Sequence, residues 1–157
     1  MLRILILIGV FLGSFSNTNA QNSNTIHWKT FPELESALKE NPKPIFIFFH
    51  AQWCAYCKKI QRQVFTKPDV INLINNKYYA VHMDVESQDS IVFEHTVFTN
   101  TQALTKRNGI HDIPLLLASR TEYPFSLPAT VILNKDFTVR QRVFEYYTSK
   151  ELVLLLK

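Results

Sequence analysis

Ile45-Phe46-Ile47-Phe48-Phe49-His50-Ala51-Gln52-Trp53-Cys54-Ala55-Tyr56-Cys57-Lys58-Lys59-Ile60 changes its periodicity halfway along. Ile45 to Phe49 is a short, continuous apolar run rich in aromatics, which predicts a strand buried on both faces. From Cys54 the pattern becomes helical, with Cys57, Ile60, Gln61 and Val64 on one side and Lys58, Lys59 and Arg62 on another. Cys54 therefore stands at a helix N-terminus, where unpaired N–H groups and a partial positive charge favour a thiolate over a thiol. Lys58 and Lys59 add cationic charge one turn further on. Cys57 lies about one turn inside, positioned to attack a mixed disulfide formed at Cys54.

These are the two cysteines of the chain. Disulfide staples in small exported domains usually draw on four or more cysteines spread along the sequence. A bridge across two intervening residues restricts the unfolded chain little. A structural zinc site needs four ligands, and His50, His82, His95 and His111 are not paired at a ligand spacing. Haem attachment needs histidine directly after the second cysteine, where Lys58 stands. Redox chemistry is the leading reading, with no metal and no cofactor beyond the cysteine pair. Two rivals stay open: transient copper handling by soft thiolates, and a redox-inert binding domain. Against the first, Met83 is the one methionine beyond the N-terminal start; against the second, the C-x-x-C is intact. Gly109 is the one glycine outside the N-terminal stretch, so no Gly-rich phosphate loop exists and nucleotide binding has no support.

The chain has 157 residues and a net charge of +4, an excess too small and scattered to suggest nucleic acid. Arg3, the apolar run Ile4 to Leu12, and Thr18-Asn19-Ala20 resemble the three regions of a signal peptide, predicted over 1–20. The run is short of the roughly 18 residues a membrane span needs. Residues 21–157 are expected to form one exported, monomeric domain, periplasmic or extracellular, with no stable membrane insertion after cleavage.

Outward from the motif, Ile26 to Trp28 predicts a short strand. Thr30 caps a helix with Pro32 in its first turn, running to about Lys39 and burying Phe31, Leu34 and Leu38. Thr66 and Asp69 bracket Pro68 as a further helix start, with Val70, Leu73 and Ile74 inward. Tyr79 to Val85 alternates as a strand does, and Ile91 to Phe98 suggests a hairpin around Glu94-His95 with Ile91, Phe93, Val97 and Phe98 half-buried. A helix is predicted over about His111 to Ser119, with Leu115, Leu116 and Leu117 packing it on the sheet. A strand–turn–strand unit spans Ala129 to Phe144 through Asn134-Lys135-Asp136. Thr148 to Glu151 fits a capping box opening a last helix. The order predicts an α/β fold with helices on both faces of a central sheet.

Trp53-Cys54-Ala55-Tyr56-Cys57-Lys58 matches the W-C-x-x-C-K signature of the thioredoxin superfamily. Leu127-Pro128-Ala129-Thr130 resembles its cis-proline loop, and the strand, turn, strand and helix after it resemble its C-terminal unit. Gly109-Ile110-His111-Asp112-Ile113-Pro114 is a second match to that loop; Pro128 is preferred because it directly precedes the C-terminal unit. The resemblance implies a thioredoxin-like fold, a central mixed sheet flanked by helices, with an insertion over 86–125 before the cis-proline strand. It implies a thiol–disulfide oxidoreductase in which Cys54 attacks and Cys57 resolves, supported by Trp53, Lys58 and Pro128. Tyr56 and Leu127 become candidate substrate contacts. Partners would be protein disulfides or dithiols and an upstream redox protein. Ala55-Tyr56 has neither the histidine of strong oxidants nor the proline of the reducing pattern. Reductase is the expected direction, because an oxidising compartment needs reducing power delivered to selected targets.

Three departures stand out. Phe48 occupies the place of the family's buried aspartate, leaving Glu33 and Asp84 as candidates to handle protons for Cys57. Phe144-Glu145-Tyr146-Tyr147 lacks the glycine usual before the last helix, and Tyr146 and Tyr147 are expected to pack. The 86–125 segment is longer than a minimal thioredoxin needs and is expected near the active-site end. His50 is expected to be a structural strand-end residue.

Overall fold

A computed structural model describes residues 24–157; the signal-peptide reading over 1–20 lies outside the described residues. Five strands form the main sheet: β1 (Trp28–Lys29), β2 (Ile45–His50), β3 (Tyr79–Asp84), β6 (Ala129–Leu133) and β7 (Val139–Val143). Their spatial order is β1-β3-β2-β6-β7. β3 runs parallel to both β1 and β2, whereas β6 runs antiparallel to β2 and β7 antiparallel to β6. The sheet is therefore mixed, with the motif strand at its centre. That position explains the unbroken apolar run of β2, since Ile45 to Phe49 are all buried.

Alternate residues of β2 serve opposite faces. On one side, Phe46 and Phe48 meet Phe65 edge-on at 5.9 and 4.9 Å, just beyond α2 (Ala55–Gln63). On the other, Ile45 and Ile47 share an apolar cavity with Phe31 and Leu34 of α1 (Phe31–Glu40) and Ile113 of α4 (Asp112–Ala118). α3 (Pro68–Lys77) packs against α5 (Ser149–Leu155), and the Tyr78 hydroxyl donates to the Leu156 carbonyl at 2.8 Å.

The expected capping box at Thr148 forms, and the expected cap at Thr30 is a capping box as well. Thr30 and Glu33 close one at the start of α1, and Thr148 and Glu151 close the other at α5. Each satisfies two N–H groups that a helix start leaves without partners. α3 differs from the expectation. Its N-cap is Lys67, with no side-chain cap, because the Thr66 hydroxyl donates back to the Arg62 carbonyl at 2.9 Å. Ile71 joins Val70 and Ile74 in the core, and Leu73 packs half-buried against it.

Residues between β3 and β6 fold back as a small layer of their own. β4 (Ile91–Phe93) and β5 (Thr96–Phe98) form the hairpin, with Glu94 and His95 at its tip in left-handed conformation, φ 48° and 63°. Both positive angles are what a two-residue hairpin turn requires. Pairing sets Ile91 opposite Phe98 and Val92 opposite Val97, so Val92 and Val97 share the solvent face. Val97 is exposed, not half-buried as its spacing suggested, because crossing the two-residue turn places it opposite Val92. A 3-10 turn over Thr101–Leu104 follows, then α4. Of the three leucines expected to pack α4, Leu117 packs half-buried against the core whereas Leu116 faces solvent; Ile113, Pro114 and Ala118 are fully buried.

β7 carries an irregularity. Ile132 lies opposite Gln141 but Leu133 opposite Val139, so Arg140 is an extra residue in the ladder, a β-bulge. Its guanidinium donates to the Tyr78 hydroxyl at 2.9 Å and to the Leu155 carbonyl at 3.0 Å. That places a cation at the C-terminal end of α5, where the helix dipole favours it.

Candidate active site

Cys54 is the N-cap of α2, and its sulfur accepts the Cys57 backbone N–H at 3.1 Å. Cys54 N–H in turn donates to the Ala51 carbonyl, and Lys58 N–H to the Cys54 carbonyl, both at 3.1 Å. The strand-to-helix turn is thus pinned on both sides of the first cysteine. The two sulfurs are joined at 2.02 Å. Cys54 retains 4% exposure and Cys57 1%, so the first cysteine is slightly more exposed than the second. A reductive opening of this pair leaves Cys54 Sγ at a helix N-terminus with a backbone donor already aimed at it. That arrangement stabilises a thiolate.

Three chain ends converge here. His50, the last residue of β2, lies opposite Asp84, the last of β3, and Phe49 lies opposite Ala129, the first of β6. Pro128, directly before β6, is therefore at the same end of the sheet as the C-x-x-C, and it is buried. The Leu127–Pro128 peptide is cis, whereas Pro114 sits in the first turn of α4. Leu127 packs partly against the core. Trp53 and Tyr56 flank the sulfurs, 62% and 60% exposed. Lys58 is exposed on α2.

Glu33 is not brought to this site. Its carboxylate accepts the Thr30 N–H at 2.7 Å and the Thr30 hydroxyl at 3.0 Å on an exposed surface. Those bonds hold its carboxyl below the usual range. Asp84 does reach the right sheet end, where its Oδ1 accepts the Glu86 N–H at 3.0 Å. Phe48 fills its own position completely and stacks on His50, which stacks in turn on His82 at 5.4 Å. Burial lowers the basicity of both imidazoles, and His82 lowers that of His50 further while Asp84 opposes it.

The contacts of Glu86 have no counterpart in the sequence pattern. The Trp53 indole N–H donates to Glu86 Oε1 at 2.7 Å, and Asn108 Nδ2 donates to the same oxygen at 2.8 Å. Tyr146 and Tyr147 pack as expected: the Tyr146 ring lies 6.2 Å from that of Tyr56, and Lys59 Nζ sits 4.4 Å above it. Tyr147 is buried and shares a 2.8 Å hydrogen bond with Thr130; burial pushes its phenol up strongly, the Thr130 hydrogen bond opposing. No local pattern marks Glu86 or Asn108, which lie 33 and 22 positions from their partners. Among the described residues no group of three or more His, Cys, Asp or Glu side chains could hold a metal ion. No helix among them is long and apolar enough to cross a membrane.

A family model described as thioredoxin-like matches residues 27–125, most of the chain and all of the C-x-x-C region. The chain belongs to the thioredoxin-like family. That match runs through the hairpin and α4 as well as the motif. Among curated proteins, the thiol:disulfide interchange protein DsbD of Neisseria meningitidis is 30% identical over 107 residues, covering 66% of this chain and 16% of the relative. The DsbD of Campylobacter jejuni is 27% identical over 95 residues, covering 54% of this chain and 17% of the relative. The chain thus spans about a sixth of the length of these relatives. Among solved structures, the oxidoreductase DsbH superposes with a TM-score of 0.59 at 18% identity, covering 90% of this chain and 89% of that one. A thioredoxin from Thermus thermophilus gives 0.55 at 18% identity, covering 84% and 85%. These superpositions show that the thioredoxin-like family member has the thioredoxin fold over nearly all its described residues.

Proposed function

We propose that this thioredoxin-like domain is a thiol–disulfide oxidoreductase of the cell envelope, working as a disulfide reductase through Cys54 and Cys57. The observation that carries the reading is the joined cysteine pair whose outer sulfur caps α2 and accepts the Cys57 N–H at 3.1 Å. In the reduced enzyme the Cys54 thiolate attacks one sulfur of a substrate disulfide. The substrate S–S bond breaks, a mixed disulfide forms, and the released thiolate takes up a proton. Cys57, losing its proton, then attacks Cys54 Sγ and expels the second substrate sulfur as a thiol. Two electrons pass to the substrate, and the Cys54–Cys57 disulfide must be reduced again by a dithiol partner. The DsbD relatives, named for thiol:disulfide interchange, support the exchange chemistry of this reading.

In this reading Trp53 and Tyr56 meet the incoming chain, Leu127 and Pro128 offer backbone beside the sulfurs, and Lys58 adds positive charge near the thiolate. Residues 1–20 serve as a cleaved export signal, the mature domain acts as a monomer, and 86–125 is the elaboration that narrows substrate choice. The deciding measurement is the reduction potential of the pair against a glutathione buffer, alongside turnover of insulin disulfides. A value near about −270 mV supports a reductase, whereas one near about −120 mV reverses the direction. Alkylation of the reduced protein at neutral pH should modify Cys54 well before Cys57. A Cys57→Ser variant should accumulate mixed disulfides through Cys54. N-terminal sequencing of envelope material should begin near Gln21.

A further inference from the structure

We infer that Glu86 is a positioning residue that holds the Trp53 indole as a fixed wall beside Cys54, and so selects protein disulfides over small ones. The inference rests on the proposed thiol–disulfide activity. An indole 62% exposed ordinarily samples several rotamers. Here its one polar group, the indole N–H, donates to a carboxylate oxygen at 2.7 Å, a charge-assisted bond stronger than a neutral one. The same oxygen accepts Asn108 Nδ2 at 2.8 Å, so Glu86 joins the motif to the segment packed across from it.

Both supports of that oxygen are themselves fixed. The Glu86 backbone N–H is bound by Asp84 Oδ1 at the end of β3. Asn108 precedes Gly109, whose carbonyl accepts Asn100 Nδ2 at 2.8 Å in a buried bond. A Cβ on Gly109 would lie 2.4 Å from the Ala103 nitrogen, so the backbone there is pressed against the 3-10 turn. Asn100 also donates to the Ser87 carbonyl and accepts the Ala103 N–H, both at 3.1 Å. The rim beyond Trp53 is therefore a braced unit, and Glu86 transmits that bracing to the ring.

A small disulfide can reach Cys54 without lying on the indole. A disulfide within a protein brings its flanking backbone against Trp53, and a pre-ordered ring spares the encounter the cost of immobilising it. Loss of the bond should thus weaken capture of protein substrates, leaving the sulfur chemistry unchanged. The test compares wild type, Glu86→Ala, Glu86→Gln and Asn108→Ala. Substrates are insulin and a small aromatic disulfide, and Trp53 anisotropy is read in a Trp28→Phe background. Glu86→Ala should speed the anisotropy decay and raise KM for insulin by about 2- to 12-fold, the span of ordering one side chain. Its kcat on insulin and kcat/KM on the small disulfide should stay within about two-fold. Glu86→Gln, which keeps an acceptor without the charge, should recover most of the insulin KM, and Asn108→Ala should fall between. An unchanged insulin KM, an equal loss on both substrates, or a Gln variant no better than Ala overturns the role of Glu86. Should Glu86→Ala not fold, the Gln and Asn108→Ala variants decide by the same KM split. If wild type turns over neither substrate, the oxidoreductase reading itself fails, an outcome distinct from an active enzyme without the split.

Discussion

The two regions that meet at Trp53 are built from different forces. Behind it, β2 and α2 are held by apolar burial, with Phe46, Phe48, Phe49 and Ile60 at 0% exposure. In front, Ile91, Phe93 and Phe98 of the hairpin pack against the core, and the rest of residues 86–112 is held by side-chain hydrogen bonds that satisfy backbone groups. Asn100 binds three of them. His111, at 0% exposure, accepts the Ile113 N–H on Nδ1 and meets the Asp89 carbonyl through Nε2 at 3.1 Å. With Nδ1 accepting, Nε2 carries the proton and donates to that carbonyl. Asp112 Oδ2 takes the Thr99 N–H and Oδ1 the Thr101 hydroxyl. Burial raises its carboxyl, but these bonds outweigh that and hold it below the usual range. Apolar packing is redundant and non-directional, whereas a polar hub fails when one atom is removed. The first region supplies rigidity behind the Cys54–Cys57 pair; the second supplies shape at low apolar content.

The sharpest break in this comparison is Phe48→Ala, which empties a filled core position and should cost about 3–5 kcal/mol. Guanidinium unfolding should show the whole domain lose stability together. Asn100→Leu should cost about 1–3 kcal/mol by leaving buried backbone groups unpaired. Hydrogen exchange should then rise across 87–112 while β2 and β6 stay protected; uniform acceleration would show that the two regions unfold as one. Thr148→Ala, removing a cap remote from both, should cost about 1 kcal/mol and leave exchange in 87–112 unchanged. The smallest effect is that of pH. His50 and His82 bind protons less readily in the folded chain than when unfolded, so stability is full above about pH 6.5 and declines as pH falls from there towards their folded values. A His50→Gln, His82→Gln double variant should flatten that slope, as followed by the denaturation midpoint between pH 7 and 5.

Legibility in the sequence follows the same division. The aromatic run Ile45 to Phe49, the change of period at Cys54, and the Thr30–Glu33 and Thr148–Glu151 boxes each act within a few residues. Each therefore leaves a local pattern, and the order of elements could be read from them. Pairing of Trp53 with Glu86, or of Asn100 with Gly109, depends on where the chain returns after β3, and no periodicity records it. His111 looked like one more unpaired histidine in the sequence, yet it is a buried N-cap. Glu33 reads as a proton-handling candidate from its residue type, whereas its carboxylate is committed to the Thr30 cap. Val97 followed the expected alternation until the two-residue turn fixed its register.

The ends of the sheet bear on how the molecule behaves among its own copies. An open row of strand amides is a template for another chain, and proteins that stay dispersed usually blunt it. Here one border strand, β1, is two residues long, too short to guide a partner into register. The other, β7, alternates Val139, Arg140, Gln141, Arg142 and Val143, and its bulge turns Arg140 towards α5. A second sheet approaching that border meets charge and an uneven ladder. Under the proposed activity the domain would meet partly unfolded chains, and borders of this kind offer such a chain little open strand to pair with.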